Sequence, residues 1–158
     1  MDIEEVKKVF NSGVQSEIED LSQKILGIEN TDQVKVLCED LDFFRQSIGN
    51  LETKATKLYR TNYKYRWAHV LLKYLERISS GGCRCCQYTL YEASPFKECK
   101  KGLVNIIPSR DSENGNGYLD DVICECTICK RRYVQESHDH GHVTIRDNWR
   151  FLPEAFYK

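Results

Sequence analysis

Seven of the eight cysteines lie between residues 83 and 129, and this clustering constrains the fold more than any other feature of the 158-residue chain. They form two groups, at 83–86 and 124–129, with Cys99 between the groups. Each group contains a C-x-x-C pair, and two such pairs brought together by the fold can supply the four thiolates of a tetrahedral zinc site. Because four protein ligands leave no coordination position for water or substrate, the pattern predicts a structural metal.

The predicted ligands are one C-x-x-C pair from each group: Cys83, Cys86, Cys126 and Cys129. Three more cysteines and three histidines remain as alternative ligands: Cys85, Cys99, Cys124, His138, His140 and His142. Cys85 and Cys124 lie closest in sequence to the predicted ligands, so a small shift of register could bring either one into the site in place of its neighbour. One zinc ion per chain is expected, and the alternative is a two-metal cluster that uses all seven cysteines and a histidine.

The cellular compartment bears on this metal prediction. No apolar run reaches the roughly 18 residues that would suggest a membrane span, and the acidic start at residues 2–5 is unlike the basic beginning of a signal peptide. We therefore expect a cytoplasmic protein. Thiols stay reduced in the cytoplasm, so clustered cysteines there indicate metal binding more often than disulfides or free thiols.

The first half of the chain shows a helical pattern. Apolar residues recur at steps of three or four along three stretches, which predicts helical segments over 3–28, 34–48 and 51–78. Gly13 predicts a bend or break in the first segment. Asn30, Thr31 or Asp32 can cap the second, and Gly49 marks its end. Extra apolar residues near the end of the third segment predict that it packs on more than one neighbour. Short connections favour antiparallel packing, so residues 1–80 are predicted to form a helical hairpin or three-helix bundle.

Small residues at 79–82 mark a boundary, after which the pattern changes from helix to strand. Short runs rich in β-branched and aromatic residues predict strands at 87–92, 103–107, 118–125, 130–135 and 142–145. Residues 81–158 are therefore predicted to form a small antiparallel β domain that binds zinc. The predicted fold class is α+β, with a helical domain followed by this zinc-binding domain.

Three histidines at alternate positions form the other unusual motif: His138, His140 and His142. On one side of a strand they could bind a second metal with an open coordination position, as a hydrolase would require. The preferred interpretation is a polar hairpin turn, because Asp139 and Gly141 are turn residues between two predicted strands. No nucleophile elbow or phosphate-binding glycine loop is present, so we predict a non-enzymatic protein, with a metal-dependent hydrolase as an alternative.

Charge is distributed unevenly along the chain. Residues 1–53 contain twelve acidic and five basic residues, whereas residues 54–80 contain one acidic and seven basic residues. Acidic helices packed beside a basic one would explain this difference. The alternative is that the basic and aromatic segment 54–80 is exposed as a binding face for an acidic partner.

Residues 130–133 also interleave basic and aromatic side chains, a mixture that suits nucleic acid, since cations meet phosphates while rings stack on bases. The same residue types anchor protein interfaces. The candidate partner-binding residues are Lys130, Arg131, Arg132, Tyr133 and Trp149. A protein partner is the leading prediction and nucleic acid the alternative, because residues 81–158 have no net charge.

A cysteine knuckle followed by a strand, repeated at a second hairpin, resembles the zinc-ribbon class over residues 83–136. Cys86 and Cys126 have 39 residues between them, more than the usual 15 to 20, which leaves room for inserted strands. Gln87 and Lys130 stand where such knuckles frequently have glycine.

The end of the chain carries a second, shorter resemblance. Cys126-Thr-Ile-Cys129, followed by Arg132-Tyr133-Val134, Glu136, His140 and Trp149, is similar to the ends of small bacterial zinc-ribbon proteins of toxin-immunity type. The resemblance implies a small intracellular protein that binds and blocks one partner, a toxin.

Overall fold

A computed structural model of the chain describes residues 2–55, 65–91, 93–107, 121–135, 137–139, 144–146 and 149–152. It contains two compact units, Met1–Gln87 and Tyr88–Lys158. Helices are followed by a small four-stranded antiparallel sheet, which confirms the predicted α+β class. Within the described ranges, no helix combines the length and the apolar character that crossing a membrane requires.

The described part of the first unit contains five α-helices: α1 (Ile3–Ser12), α2 (Gln15–Leu26), α3 (Thr31–Cys38), α4 (Leu41–Ala55) and α5 (Arg66–Ser79). Helix α5 packs against α2, α3 and α4, which confirms that the end of the third predicted segment has several neighbours. Ala68, Leu71 and Leu75 of α5 are fully buried in this packing. The apolar core of the unit is therefore centred on α5.

The helix boundaries agree with the sequence pattern at some positions and differ at others. Gly13 ends α1 with a φ of 69°, so the predicted break is confirmed. The predicted stop at Gly49 is wrong, because α4 continues through this residue to Ala55. A glycine inside a helix costs about 1 kcal/mol relative to alanine. Burial of Ile48 and Leu51 on either side of Gly49 offsets that cost.

Two kinds of cap begin the helices. Asn30 Oδ1 accepts the Asp32 N–H at 2.9 Å, as predicted for the start of α3. Tyr65 precedes α5 in a left-handed conformation, with a φ of 63° and no side-chain cap of its own. Glu19 of α2 supplies the missing acceptor, since its Oε2 accepts the Trp67 N–H at 3.0 Å. This tertiary cap joins two helices that are distant in sequence.

The described part of the second unit contains α6 (Pro95–Lys100), β1 (Val104–Ile107), β2 (Val122–Cys126), β3 (Arg132–Gln135), β4 (Ser137–Asp139), β5 (Thr144–Arg146) and β6 (Arg150–Phe151). Four strands form an antiparallel sheet in the order β1-β2-β3-β6, and β4 pairs with β5. The first predicted strand, 87–92, is wrong, since Arg84–Thr89 forms a 3₁₀ helix. Helix α6 is an addition that Ser94 and Pro95 signal, as its N-cap and first residue.

The core of the second unit is largely aromatic. Trp149 and Tyr133 are only 1% and 2% exposed, and the Trp149 ring centroid lies 4.3 Å from that of Tyr88. Trp149 Nε1 donates to the Ala93 carbonyl oxygen at 2.8 Å, which satisfies its polar atom. Both rings therefore fill this core, and their assignment to partner binding stays a prediction.

Candidate metal centre

Four thiols form a compact group. The sulfur atoms of Cys83, Cys85, Cys126 and Cys129 all lie within 4.8 Å of one another. Cys85 and Cys126 are buried, whereas Cys83 and Cys129 are partly exposed. For this spacing some point lies within about 2.9 Å of all four sulfurs, against about 2.3 Å for a Zn–S bond. A contraction of about 0.6 Å would complete the bonds, so the group could hold a metal ion.

Cys126 and Cys129 lie at the turn that joins β2 to β3. The Lys130 N–H donates to the Cys126 carbonyl oxygen at 3.1 Å, and the Cys126 N–H donates to the Arg131 carbonyl oxygen at 2.9 Å. Lys130 has a φ of 60°, a left-handed conformation that glycine adopts at little cost. Lysine therefore occupies a position of this turn where the backbone favours glycine.

The end of α5 directs the chain into the first cysteine group. Gly81 has a φ of 81°, and the Gly82 N–H donates to the Arg77 carbonyl oxygen at 2.8 Å. A Cβ at Gly82 would collide with that same oxygen, so the close approach requires glycine. The Arg77 guanidinium also donates to the Cys86 carbonyl oxygen at 2.6 Å. The backbone on both sides of Cys83 is thus fixed by α5.

The 3₁₀ helix explains which cysteine joins the group. Successive residues of such a helix point about 120° apart, so Cys85 and Cys86 cannot face the same point. Cys85 takes part in the four-thiol group, and Cys86 lies outside it. Arg84 lies between Cys83 and Cys85 in sequence and is buried. It anchors the segment by donating from Nε to the Ile28 carbonyl oxygen at 3.2 Å.

The structure thus brings together three of the four predicted ligands, with Cys85 from the alternatives in the fourth position. The C-x-x-C pattern predicted Cys86 as a ligand, because a cysteine knuckle is expected to lead into a strand. The segment instead continues as a 3₁₀ helix, and the C-x-C spacing of Cys83 and Cys85 is the sequence signal for the alternative ligand.

No family model, curated protein or solved structure matches this chain. The functional argument therefore depends on the geometry of the chain itself.

The remaining cysteines lie outside the four-thiol group. Cys124 is buried on the same face of β2 as Cys126, and burial, together with the nearby Cys99, raises its pKa to about 12. A thiol with such a pKa stays protonated near neutral pH. Cys38 donates to the Leu75 carbonyl oxygen at 3.5 Å, and burial raises its pKa as well. Cys38 thus has the environment of a structural thiol.

The other predicted residues have different outcomes. His138 lies in β4 opposite Ile145 of β5, so this segment belongs to an antiparallel strand pair. His140 and His142 lie outside the described residues, and the histidine metal site stays a prediction. The central part of segment 54–80, residues 56–64, also lies outside them. No disulfide joins any of the eight cysteines, all of which lie in the described part of the chain.

Proposed function

We propose that this protein is a non-enzymatic binding protein whose fold is stabilised by one structural zinc ion. The four sulfur atoms within 4.8 Å of one another carry this proposal. Soft thiolates in a tetrahedral set favour zinc among the common metals, and a closed shell of four leaves no position for a substrate. Zinc bound there would supply folding energy by joining segments that are distant in sequence.

We propose a reducing compartment, the cytoplasm, as the setting, because four neighbouring thiols remain available for metal only where disulfides do not form. The function would then be to bind another macromolecule. The resemblance of residues 126–149 to toxin-immunity proteins supports a protein partner, specifically a toxin. Among the residues proposed to contact that partner, Tyr133 and Trp149 are buried, whereas Lys130 and Arg131 are exposed.

The test is a Cys126→Ser variant in a Trp67→Phe background, where Trp149 is the remaining tryptophan. We expect the variant to lose zinc, measured by elemental analysis, together with the buried-type fluorescence of Trp149. The matched control is Cys38→Ser, which removes a thiol outside the group and should keep both. A variant that stays folded without zinc would show that the metal is not structural.

A second pair of variants assigns the fourth ligand. Cys85→Ser should release zinc to a competing chelator more readily than the natural chain does, because it removes a member of the four-thiol group. Cys86→Ser alters the neighbouring residue and should retain zinc. The opposite result would restore Cys86 as the ligand.

A further inference from the structure

The turn between β2 and β3 carries an exposed surface that the zinc site does not use. We call Ile128, Lys130, Arg131 and Phe151 the turn surface. Ile128 and Phe151 are 63% and 51% exposed, and both cations are exposed as well. The Arg131 guanidinium carbon lies 5.8 Å from the centroid of the Phe151 ring, so a cation and an aromatic ring face solvent together.

The two cations of the turn surface are available to a ligand. Lys130 and Arg131 form no ion pair within the described residues. Arg132, by contrast, donates from Nε to Glu125 Oε2 at 3.0 Å, and both side chains are largely covered. Arg132 therefore belongs to the sheet, and Phe151 is the exposed ring beside the other two cations.

The chemistry of the turn surface matches an unpaired nucleic acid strand better than a protein. Tight protein interfaces depend on large aromatic anchors, and the Tyr133 and Trp149 rings are buried. Unpaired cations attract phosphates, and an exposed ring offers a stacking platform to a base that is not already stacked in a duplex.

We propose that the turn surface binds single-stranded nucleic acid. Lys130 and Arg131 contact phosphates, and the exposed part of the Phe151 ring stacks against a base. The inference depends on the proposed function, because a zinc ion bound by Cys126 and Cys129 would fix the turn that carries this surface.

The experiment measures anisotropy of a fluorescein-labelled oligothymidylate of about 15 nucleotides with the zinc-loaded full chain, from about 20 to 200 mM NaCl. A Lys130→Gln, Arg131→Gln double variant should bind more weakly and reduce the salt slope by about 1.4, or about 0.7 for each lost cation. Phe151→Ala should weaken binding about tenfold with an unchanged slope, because it removes stacking and no charge.

Helix α6 offers a matched control. It also displays an exposed ring, that of Phe96, together with exposed Lys97 and Lys100. A Lys97→Gln, Lys100→Gln double variant removes the same charge as the turn variant, and it should keep both affinity and slope. Equal losses in the two double variants would overturn the inference by showing that net charge alone controls binding.

Competition by polyglutamate and by duplex DNA, together with the zinc content of the chain, distinguishes the remaining explanations of binding. The inference fails if polyglutamate competes as well as an unlabelled oligothymidylate, which would indicate an acidic protein partner, or if duplex DNA does, which would exclude stacking. Absence of binding at about 20 mM NaCl by a chain that contains zinc would overturn the inference alone. Absence of zinc would count against the proposed function itself.

Discussion

The two units achieve stability in different ways. In the first unit the fully buried residues are mainly aliphatic, as Ile18, Val34 and Leu71 illustrate, and helix packing alone removes them from water. Among the described residues of the second unit, the buried side chains are mainly aromatic, polar or cysteine, as Tyr88 and Cys126 illustrate. We therefore expect the helices to be stable by packing alone and the small sheet to depend on the metal as a further cross-link.

Both units also bury polar side chains, Ser22 in the first unit being an example. Glu98 is buried in the second unit, where its carboxylate accepts the Tyr88 hydroxyl at 2.7 Å and the Lys101 ammonium at 2.9 Å. Gln135 is buried too and donates to the Ala93 carbonyl oxygen at 3.1 Å. Hydrogen bonds of this kind mainly offset the cost of burial, so they add little net stability. The metal is therefore expected to supply much of what the second unit lacks.

Metal removal should have the largest effect. A strong chelator should abolish the aromatic near-ultraviolet circular dichroism of the second unit, because structural zinc contributes about 10–16 kcal/mol in small metal-dependent domains. The helical signal of the first unit should persist, since the aliphatic residues of its helices are buried by helix packing and none of α1 to α5 contains a thiol of the four-thiol group. Added zinc should restore the lost signal, and an unchanged aromatic spectrum after verified removal of zinc would break the comparison.

A cavity in the helical core should have the next largest effect. Leu71→Ala removes a fully buried side chain of α5 and should cost about 2–5 kcal/mol of unfolding free energy in the first unit. Denaturant unfolding followed by the helical signal measures this loss. The exposed Lys73→Ala on the same helix is the control and should be nearly neutral. A loss no larger than that of Lys73→Ala would contradict a core centred on α5.

Relief of backbone strain at Lys130 should change stability by a smaller amount, and in the opposite direction. Lys130→Gly should stabilise the second unit by about 0.5–1 kcal/mol, since the left-handed φ of 60° costs lysine more than the added chain entropy costs glycine. Thermal unfolding followed by Trp149 fluorescence measures the change. Lys130→Ala removes the same cation and keeps the strain, so an equal gain in both variants would refute the conformational explanation.

The smallest effect is a pH dependence in the first unit. Burial raises the pKa of Glu19 above its usual 4.5, so its carboxylate costs stability above the folded pKa. That cost disappears as the pH falls from neutral through the folded pKa, because the folded chain binds the proton more readily than the unfolded chain.

Glu19→Gln should remove this dependence while its amide oxygen keeps accepting the Trp67 N–H. The unfolding temperature of the natural chain should therefore rise relative to that of the variant as the pH falls. A temperature difference that stays constant with pH would show that the Glu19 carboxyl does not contribute.

The helical half was predictable wherever local pattern and local packing agree. Apolar residues at steps of three or four indicated the helical regions, and Gly13 located a break. The division between α3 and α4, after Cys38, falls inside the segment 34–48 that was predicted as one helix. The pattern failed at Gly49, because neighbouring burial outweighs helix propensity. It also failed at Tyr88, where residues suited to a strand form a 3₁₀ helix. The Tyr88 ring packs there on Trp149, which is far away in sequence.

The candidate metal site was predictable in its chemistry and less so in its membership. Two cysteine groups indicate a thiolate site whatever the fold between them. The choice between Cys85 and Cys86 depends on the backbone after Cys83, which Arg77 and Arg84 fix through hydrogen bonds. Neither arginine has a local sequence signal that reveals such a role.

Cobalt titration of the metal-free chain tests the central claim most directly. Binding of one Co²⁺ per chain, with thiolate charge-transfer bands and the visible absorption of a tetrahedral four-sulfur site, is the result we predict. A titration without thiolate charge-transfer bands, or one that ends at two ions per chain, would contradict a single structural site formed by Cys83, Cys85, Cys126 and Cys129.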